Sequence, residues 1–311
     1  MENITIVSAC DRNFLWGAYL LAVSAARFIP DVPVLILETG FTPEDRRLIG
    51  QFPNVSLKPL DNSDPRNVTN RKSEALLSAD TEFVAWLDAD CFVIGDIRKY
   101  LIPANGQFQI RIRGEAENAQ VWRHHYTEND ERGKLPKAVA DQWRRDVGQL
   151  DTPRIQAACV ANCFVIHRDH FDFIREWKAQ IAKVIPARDT GLVDKSDPAY
   201  FMTDESVLSS VIAFSRSTPG ISEFQLNKDP GAHVAHFGAN PKPWKRWRKQ
   251  TWYTRKPVLD TLDWAKANGY ALPPVPPSLR RSNGWSSWLG VQALEAKAKA
   301  KSIAGRLIRR H

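Results

Sequence analysis

The order of apolar segments predicts an α/β fold: a mixed, mostly parallel sheet flanked by helices, with a basic C-terminal tail. Three observations carry this. Short apolar runs alternate with segments of helical periodicity through the N-terminal third, the pattern of βαβ units. Acids and amides stand directly after two of those runs, where open α/β sheets bind ligands. Beyond Pro241 the composition turns basic and aromatic.

Ile4 to Ala9 reads as a first buried strand, broken by Asp11-Arg12-Asn13. Phe14 to Phe28 carries apolar residues at helical spacing and stops near Pro30. Val32 to Leu37 reads as a second strand. Thr42-Pro43-Glu44-Asp45 starts a helix, with Thr at the N-cap, Pro in the first position and acids in the first turn. Val55-Ser56-Leu57 is a short third strand, Lys72 to Leu77 a helix, and Phe83 to Leu87 a buried strand. Residues 113–150 are polar and helical in composition, and read as an insertion or lid. Cys163 to His167 is another strand, with a helix through Phe171 to Ile185 after it. Asp204 to Phe214 is helical and Ala232 to Phe237 a last short strand.

The chain has 311 residues, 43% hydrophobic and 25% charged, ordinary for a soluble globular protein. Its 43 basic against 35 acidic residues leave a net charge of +8, which bears on partners and solubility rather than on fold. Met1 to Ile6 lacks the basic start and apolar core of a secretory signal, and no apolar run is long enough for a membrane span. Cys10, Cys91, Cys159 and Cys163 form no C-x-x-C pair and read as buried reduced thiols, as in a cytoplasmic protein.

The run Val84-Ala85-Trp86-Leu87 ends in Asp88-Ala89-Asp90, and Cys91-Phe92-Val93 follows. Two carboxylates at i and i+2 of extended chain lie on the same side. Both can reach one hard divalent cation, which favours oxygen ligands. The alternative is a capped strand end with two solvated acids.

His236-Phe237-Gly238-Ala239-Asn240-Pro241-Lys242-Pro243-Trp244 resembles the H-x-x-G-x-x-K-P-W signature of family 8 glycosyltransferases, which are retaining, metal-dependent enzymes of the Rossmann-like GT-A fold. The spacing from His to Lys-Pro-Trp matches, whereas Gly238 sits one position early. Ala9-Cys10-Asp11-Arg12-Asn13-Phe14 is similar to the family's A-x-D-x-N-[FY] run, Lys72 lies sixteen residues before Asp88 with Arg71 as a competing match, and Asp204-Glu205-Ser206-Val207-Leu208 is similar to D-Q-D-x-L. Glu205 stands where the family commonly has Gln, and Val160-Ala161-Asn162 stands where it usually has an N-[AS]-G turn.

The resemblance covers roughly residues 1–250. It implies a catalytic domain over 1–256 and leaves 257–311 as a proline-rich spacer and basic amphipathic tail. It implies a UDP-sugar donor, bound by Asp11, Asn13, Lys72, Lys242 and Trp244. A divalent cation, Mn²⁺ or Mg²⁺, would be held by Asp88, Asp90 and His236. Asp204 would orient the donor sugar. Glu205 would act either as a nucleophile or only as a hydrogen-bond acceptor or ion-pair partner. The acceptor would be a hydroxyl of a glycan or glycolipid. Duller readings stand beside these: Asx capping for Asp11 and Asn13, helix capping for Asp204, core packing for Trp244, lid surface for His124-His125.

Trp285, Trp288, Leu289, Ala296, Ala300, Ile303 and Leu307 form a stripe on a helical wheel, flanked by lysines and arginines. A basic amphipathic helix edged with Trp suits the surface of an anionic membrane, and so the inner face of the cytoplasmic membrane. Two other classes compete. A nucleic-acid binder would use the same basic and aromatic residues, but no nucleic-acid motif is present. A sugar nucleotidyltransferase would show a Gly- and Arg-rich loop after the first strand, where this chain has Ser8-Ala9-Cys10-Asp11.

Overall fold

The computed structural model of the chain describes residues 3–61, 64–103, 107–186, 197–224 and 231–308, with side chains described as far as residue 300. Strand β1 (Ile4–Asp11) pairs in parallel with β2 (Val34–Thr39) and with β4 (Phe83–Leu87), and β2 pairs in parallel with β3 (Val55–Pro59). Strand β7 (Cys159–His167) runs antiparallel to β4 and to β6 (Phe108–Ile112), and the short β8 (Ile221–Ser222) lies parallel to β6. The sheet order is β3-β2-β1-β4-β7-β6-β8, mixed and mostly parallel as the sequence predicts. Every residue of β1 before Asp11 is buried, because both faces of the sheet are covered.

One face is covered by α1 (Leu15–Phe28), by a separate two-stranded sheet of β5 (Cys91–Ile94) and β9 (His233–His236), and by α8 (Arg255–Ala267). The other is covered by α3 (Lys72–Leu76), α6 (Phe171–Val184) and α7 (Asp204–Phe214). Helix α2 (Pro43–Ile49) opens as the sequence predicts: Asp45 N donates to Thr42 Oγ1 at 3.2 Å and Thr42 N to Asp45 Oδ2 at 2.9 Å.

Several elements differ from the sequence reading. β2 starts at Val34 rather than Val32, because Val32 N bonds back to Ile29 O in the turn after α1. β9 joins β5 rather than the main sheet. β7 starts at Cys159, and β6, which the sequence reading did not foresee, pairs with it. Within 113–150 the helices α4 (Glu115–Val121) and α5 (Lys137–Val147) form, but Trp122 and Trp143 after and within them are fully buried. Trp143 Nε1 donates to Ala199 O at 2.8 Å, so this segment is built into the core beside α7.

The expected division at residue 256 falls in the first turn of α8. Val258, Leu262 and Ala265 pack in the core with α1, and Leu279 and Val291 join them. Helix α9 (Gly284–Ile308) follows, with Trp285, Trp288 and Leu289 exposed. Among the described residues no helix is long and apolar enough to cross a membrane. All four cysteines are free and buried.

Candidate active site

β4 ends at Leu87, and the chain turns through Asp88-Ala89-Asp90 before β5 leaves in the second sheet. Cys91 N donates to Asp88 O at 2.8 Å to close the turn, and Asp88 N donates to Asn162 O of β7 at 3.0 Å. Helix α1 presses on this turn through Gly17. A Cβ there would lie 2.6 Å from Ala89 O and 3.1 Å from the Trp244 ring, closer than any side chain tolerates at the carbonyl.

β9 delivers His236 to the same turn. The antiparallel register pairs Cys91 with His236, and Phe237 N donates to Asp90 O at 2.9 Å. His236 Nε2 therefore stands 3.2 Å from Asp90 Oδ1 and 3.6 Å from Asp88 Oδ2. One ligand atom from each of the three residues lies within 4.8 Å of the others. Gly238 makes room for the ring, since a Cβ at 238 would sit 2.5 Å from His236 Cε1. Two carboxylates and an imidazole are oxygen and nitrogen donors that suit a divalent cation, and the donor set fits one.

Two buried lysines hold the acids from either side. Lys242 Nζ donates to Asp90 Oδ2 at 2.5 Å, to Phe237 O at 2.9 Å and to Gly238 O at 3.2 Å. Lys72 Nζ lies 2.8 Å from Asp88 Oδ1 and donates to Ala161 O at 3.1 Å. It also lies 3.0 Å from Asp204 Oδ2, a second ion pair. Trp86 Nε1 donates to Asp88 Oδ1 at 2.7 Å.

The charges follow from these contacts. Burial opposes the charge on Lys72, but Asp204 and Asp88 outweigh it and the amine is held above its usual range. Burial also opposes the charge on Asp90, yet the His236 hydrogen bond and Lys242 hold its carboxyl well below the usual carboxylate range. His236 is raised, because Asp90 and Asp88 outweigh its burial. Burial dominates at Asp204 and pushes its carboxyl up to about 6, with Lys72 pulling the other way.

Lys72, Asp88, Asp90, His236 and Lys242 line a cavity of about 310 Å³ at the carboxyl ends of β1 and β4. Of the residues the sequence singled out, the wall brings together Asp11, Lys72, Asp88, Asp90, His236 and Lys242. The others lie outside its lining. Asn13 is exposed, and its backbone N–H donates to Asp11 Oδ1 at 2.8 Å, the Asx cap given as the alternative. Trp244 is buried edge-on against Phe14 and over Gly17. Asp204 sits behind Lys72, and Glu205 is paired with Arg113. Arg71 turns away from the cavity onto Glu74, which leaves Lys72 as the inward cation.

No protein-family model matches the sequence, and no curated protein matches it. Solved structures do match. The galactosyltransferase LgtC, in complex with donor and acceptor sugar analogs, superposes with a TM-score of 0.52 at 15% identity, over 87% of this chain and 98% of that one. The bifunctional glycosyltransferase WbbM superposes at 0.54 with 14% identity, over 84% of this chain and 49% of that one. The glycosyltransferase GlyE of Streptococcus pneumoniae TIGR4 gives 0.51 and 12%, over 88% of this chain and 65% of that one. The fold is that of the GT-A glycosyltransferases.

In this GT-A fold the sequence reading passed over several wall residues. Asn67, Val68 and Thr69 stand in the 3₁₀ turn before α3, and Trp86 forms part of the floor. An Asn followed by Thr two residues later is an Asx-cap signal, and it lies just ahead of Lys72. Ala161 stands in the Val160-Ala161-Asn162 stretch noted in the sequence, but its carbonyl and amide do the work, binding Lys72 and Glu205, and no side chain announces that.

Proposed function

We propose that this chain is a retaining, family 8-like glycosyltransferase that moves a sugar from a UDP-sugar to an acceptor hydroxyl on a glycan or glycolipid. The observation that carries the reading is the convergence of Asp88, Asp90 and His236 beside Lys72 and Lys242 on the floor of one cavity. A divalent cation bound by Asp88, Asp90 and His236 would neutralise charge on the departing diphosphate. Lys242 and Lys72 are fixed by backbone carbonyls, so their charges are already in place when that charge develops. Asp11 and the turn at Asn67 to Thr69 offer polar groups for the nucleoside, with Phe14 as an apolar wall. Asp204 keeps Lys72 oriented toward Asp88.

Exposed Trp285, Trp288 and Leu289 on α9, with the exposed cations Lys245, Arg246, Lys249 and Lys256, support contact with an anionic membrane and favour a lipid-linked acceptor at its cytoplasmic face. Sedimentation with anionic against neutral vesicles tests that part.

The test of the transfer itself is a donor screen. Purified protein is incubated with Mn²⁺ and each common UDP-sugar, and UDP release is read with and without EDTA. Metal-dependent release from one donor supports the reading and names the donor. Absence of release and of UDP-sugar binding overturns it.

A further inference from the structure

Thr203 stands immediately before Asp204 with φ 50° and ψ −122°. Among the described residues it is the one non-glycine with positive φ. A β-branched residue in that region is an outlier, since its Cβ crowds the backbone. Such residues persist where the surroundings over-determine them, and they cluster at functional sites.

The surroundings do over-determine it. Thr203 N donates to Tyr200 O at 2.8 Å and closes the turn before it. Val207 N donates to Thr203 O at 3.0 Å and opens α7 after it. Met202 N donates to Ser206 Oγ at 3.1 Å across the junction. Both Tyr200 and Thr203 are buried. A relaxed φ at 203 would swing the start of α7, which carries two adjacent carboxylates with separate partners. Asp204 reaches Lys72, and Glu205 reaches Arg113 and the Ala161 amide.

We propose that Thr203 is a positioning residue: its strained backbone aims Asp204 at Lys72, so that Lys72 is held between Asp204 and Asp88 facing the cavity. The effect on turnover rests on the function proposed above; the aiming of Lys72 does not.

The test compares wild type with Thr203→Gly, which reaches these angles without strain but is not confined to them, and with Thr203→Val, which keeps the branch but loses the hydroxyl that donates to Asp204 Oδ1 at 3.2 Å. Three quantities are read: melting temperature, the rate at which an acylating reagent labels Lys72, and steady-state kinetics on the donor. The glycine variant is expected to melt at or above wild type, because relief of strain offsets the greater freedom of its unfolded chain. Its Lys72 is expected to label faster, with kcat down about tenfold and donor KM changed less than about twofold. The valine variant is expected to keep Lys72 protected.

A glycine variant with wild-type labelling and kcat shows that the strain aims nothing. One that melts well below wild type shows that residue 203 is not strained. A valine variant that reproduces the glycine phenotype assigns the aiming to the hydroxyl. Each of these overturns the proposal. A wild type that uses no donor sinks the transferase reading alone, and the melting and labelling results still decide Thr203.

Discussion

Arg113 Nη2 lies 2.5 Å from Glu205 Oε1, while Ala161 N donates to Glu205 Oε2 at 3.1 Å. Each carboxylate oxygen is therefore committed, one to a guanidinium beyond the end of β6 and one to the backbone of β7. Arg113 is itself held by Glu117 at 2.7 Å. The pair fastens the first turn of α7 to the sheet. A nucleophile must reach the anomeric carbon, and Glu205 is held outside the cavity lining. The geometry favours Glu205 as a fixed anion rather than an attacking group.

Glu205→Gln should cost stability, because its one amide oxygen can accept from Ala161 N or from Arg113 but not from both, and yet keep kcat/KM within about threefold of wild type, because Glu205 lies outside the cavity lining. Arg113→Ala should cost more, because it strands a partly buried carboxylate, and should destabilise the fold by roughly 1–3 kcal/mol in a denaturant titration. A Gln variant slowed by orders of magnitude, or a sugar trapped on Glu205, would sink this assignment.

Gly238→Ala should weaken metal binding without unfolding the protein. The new Cβ would fall 2.5 Å from His236 Cε1, so the imidazole must turn away from Asp88 and Asp90. Displacing a ligand in this way typically costs about 10–100-fold in affinity. Gly17→Ala should act on the same site from the other side, by pushing the Ala89 carbonyl. Calorimetric titration with Mn²⁺ reads both, and wild-type affinity in the Gly238 variant refutes the role given to this glycine.

The sequence exposed what has a local pattern and hid what depends on distant pairing. Asp88 and Asp90 announce themselves because an apolar strand delivers them, and Thr42 to Asp45 because capping is a matter of four consecutive residues. β9 was legible as a strand but not as the partner of β5, because nothing near His236 encodes which edge it meets. Trp244 and Asn13 match a motif in sequence, yet packing takes one into the core and leaves the other on an exposed cap. Arg113 carries no motif and Ala161 acts through its backbone, and only the pairing of β6 with β7 brings them to Glu205.

Asp204 gives the pH dependence a sign. Its carboxyl is raised from 3.8 to about 6 in the fold, chiefly by burial. Between those values the folded state holds a proton that the unfolded chain has lost, so stability falls as pH rises through this window. The shift corresponds to about 3 kcal/mol. Asp204→Asn removes that titration. The stability of wild type relative to the Asn variant should be greatest near pH 4 and smallest above pH 6. A difference that stays flat from pH 4 to 7 shows that Asp204 is not held neutral by its surroundings.

The two acids of the Asp88-Ala89-Asp90 turn should separate in a metal titration of stability. Mn²⁺ at a hundred times its dissociation constant adds about 2.7 kcal/mol to a fold that binds it, and either Asp88→Asn or Asp90→Asn should abolish most of that gain. Without metal the two variants should differ. The side chain of Asp90 is 7% exposed and neutralises buried Lys242, whereas that of Asp88 is 21% exposed. Loss of the Asp90 charge leaves the buried Lys242 ammonium with the Phe237 and Gly238 carbonyls but without its paired carboxylate, and should cost roughly 3 kcal/mol in the metal-free protein. Asp88→Asn should cost less, because Lys72 keeps Asp204 and the Ala161 carbonyl. Thermal melts in EDTA and in Mn²⁺ measure all four values. Equal losses in EDTA would refute the inequality drawn here, and an undiminished Mn²⁺ response in both variants would move the metal elsewhere.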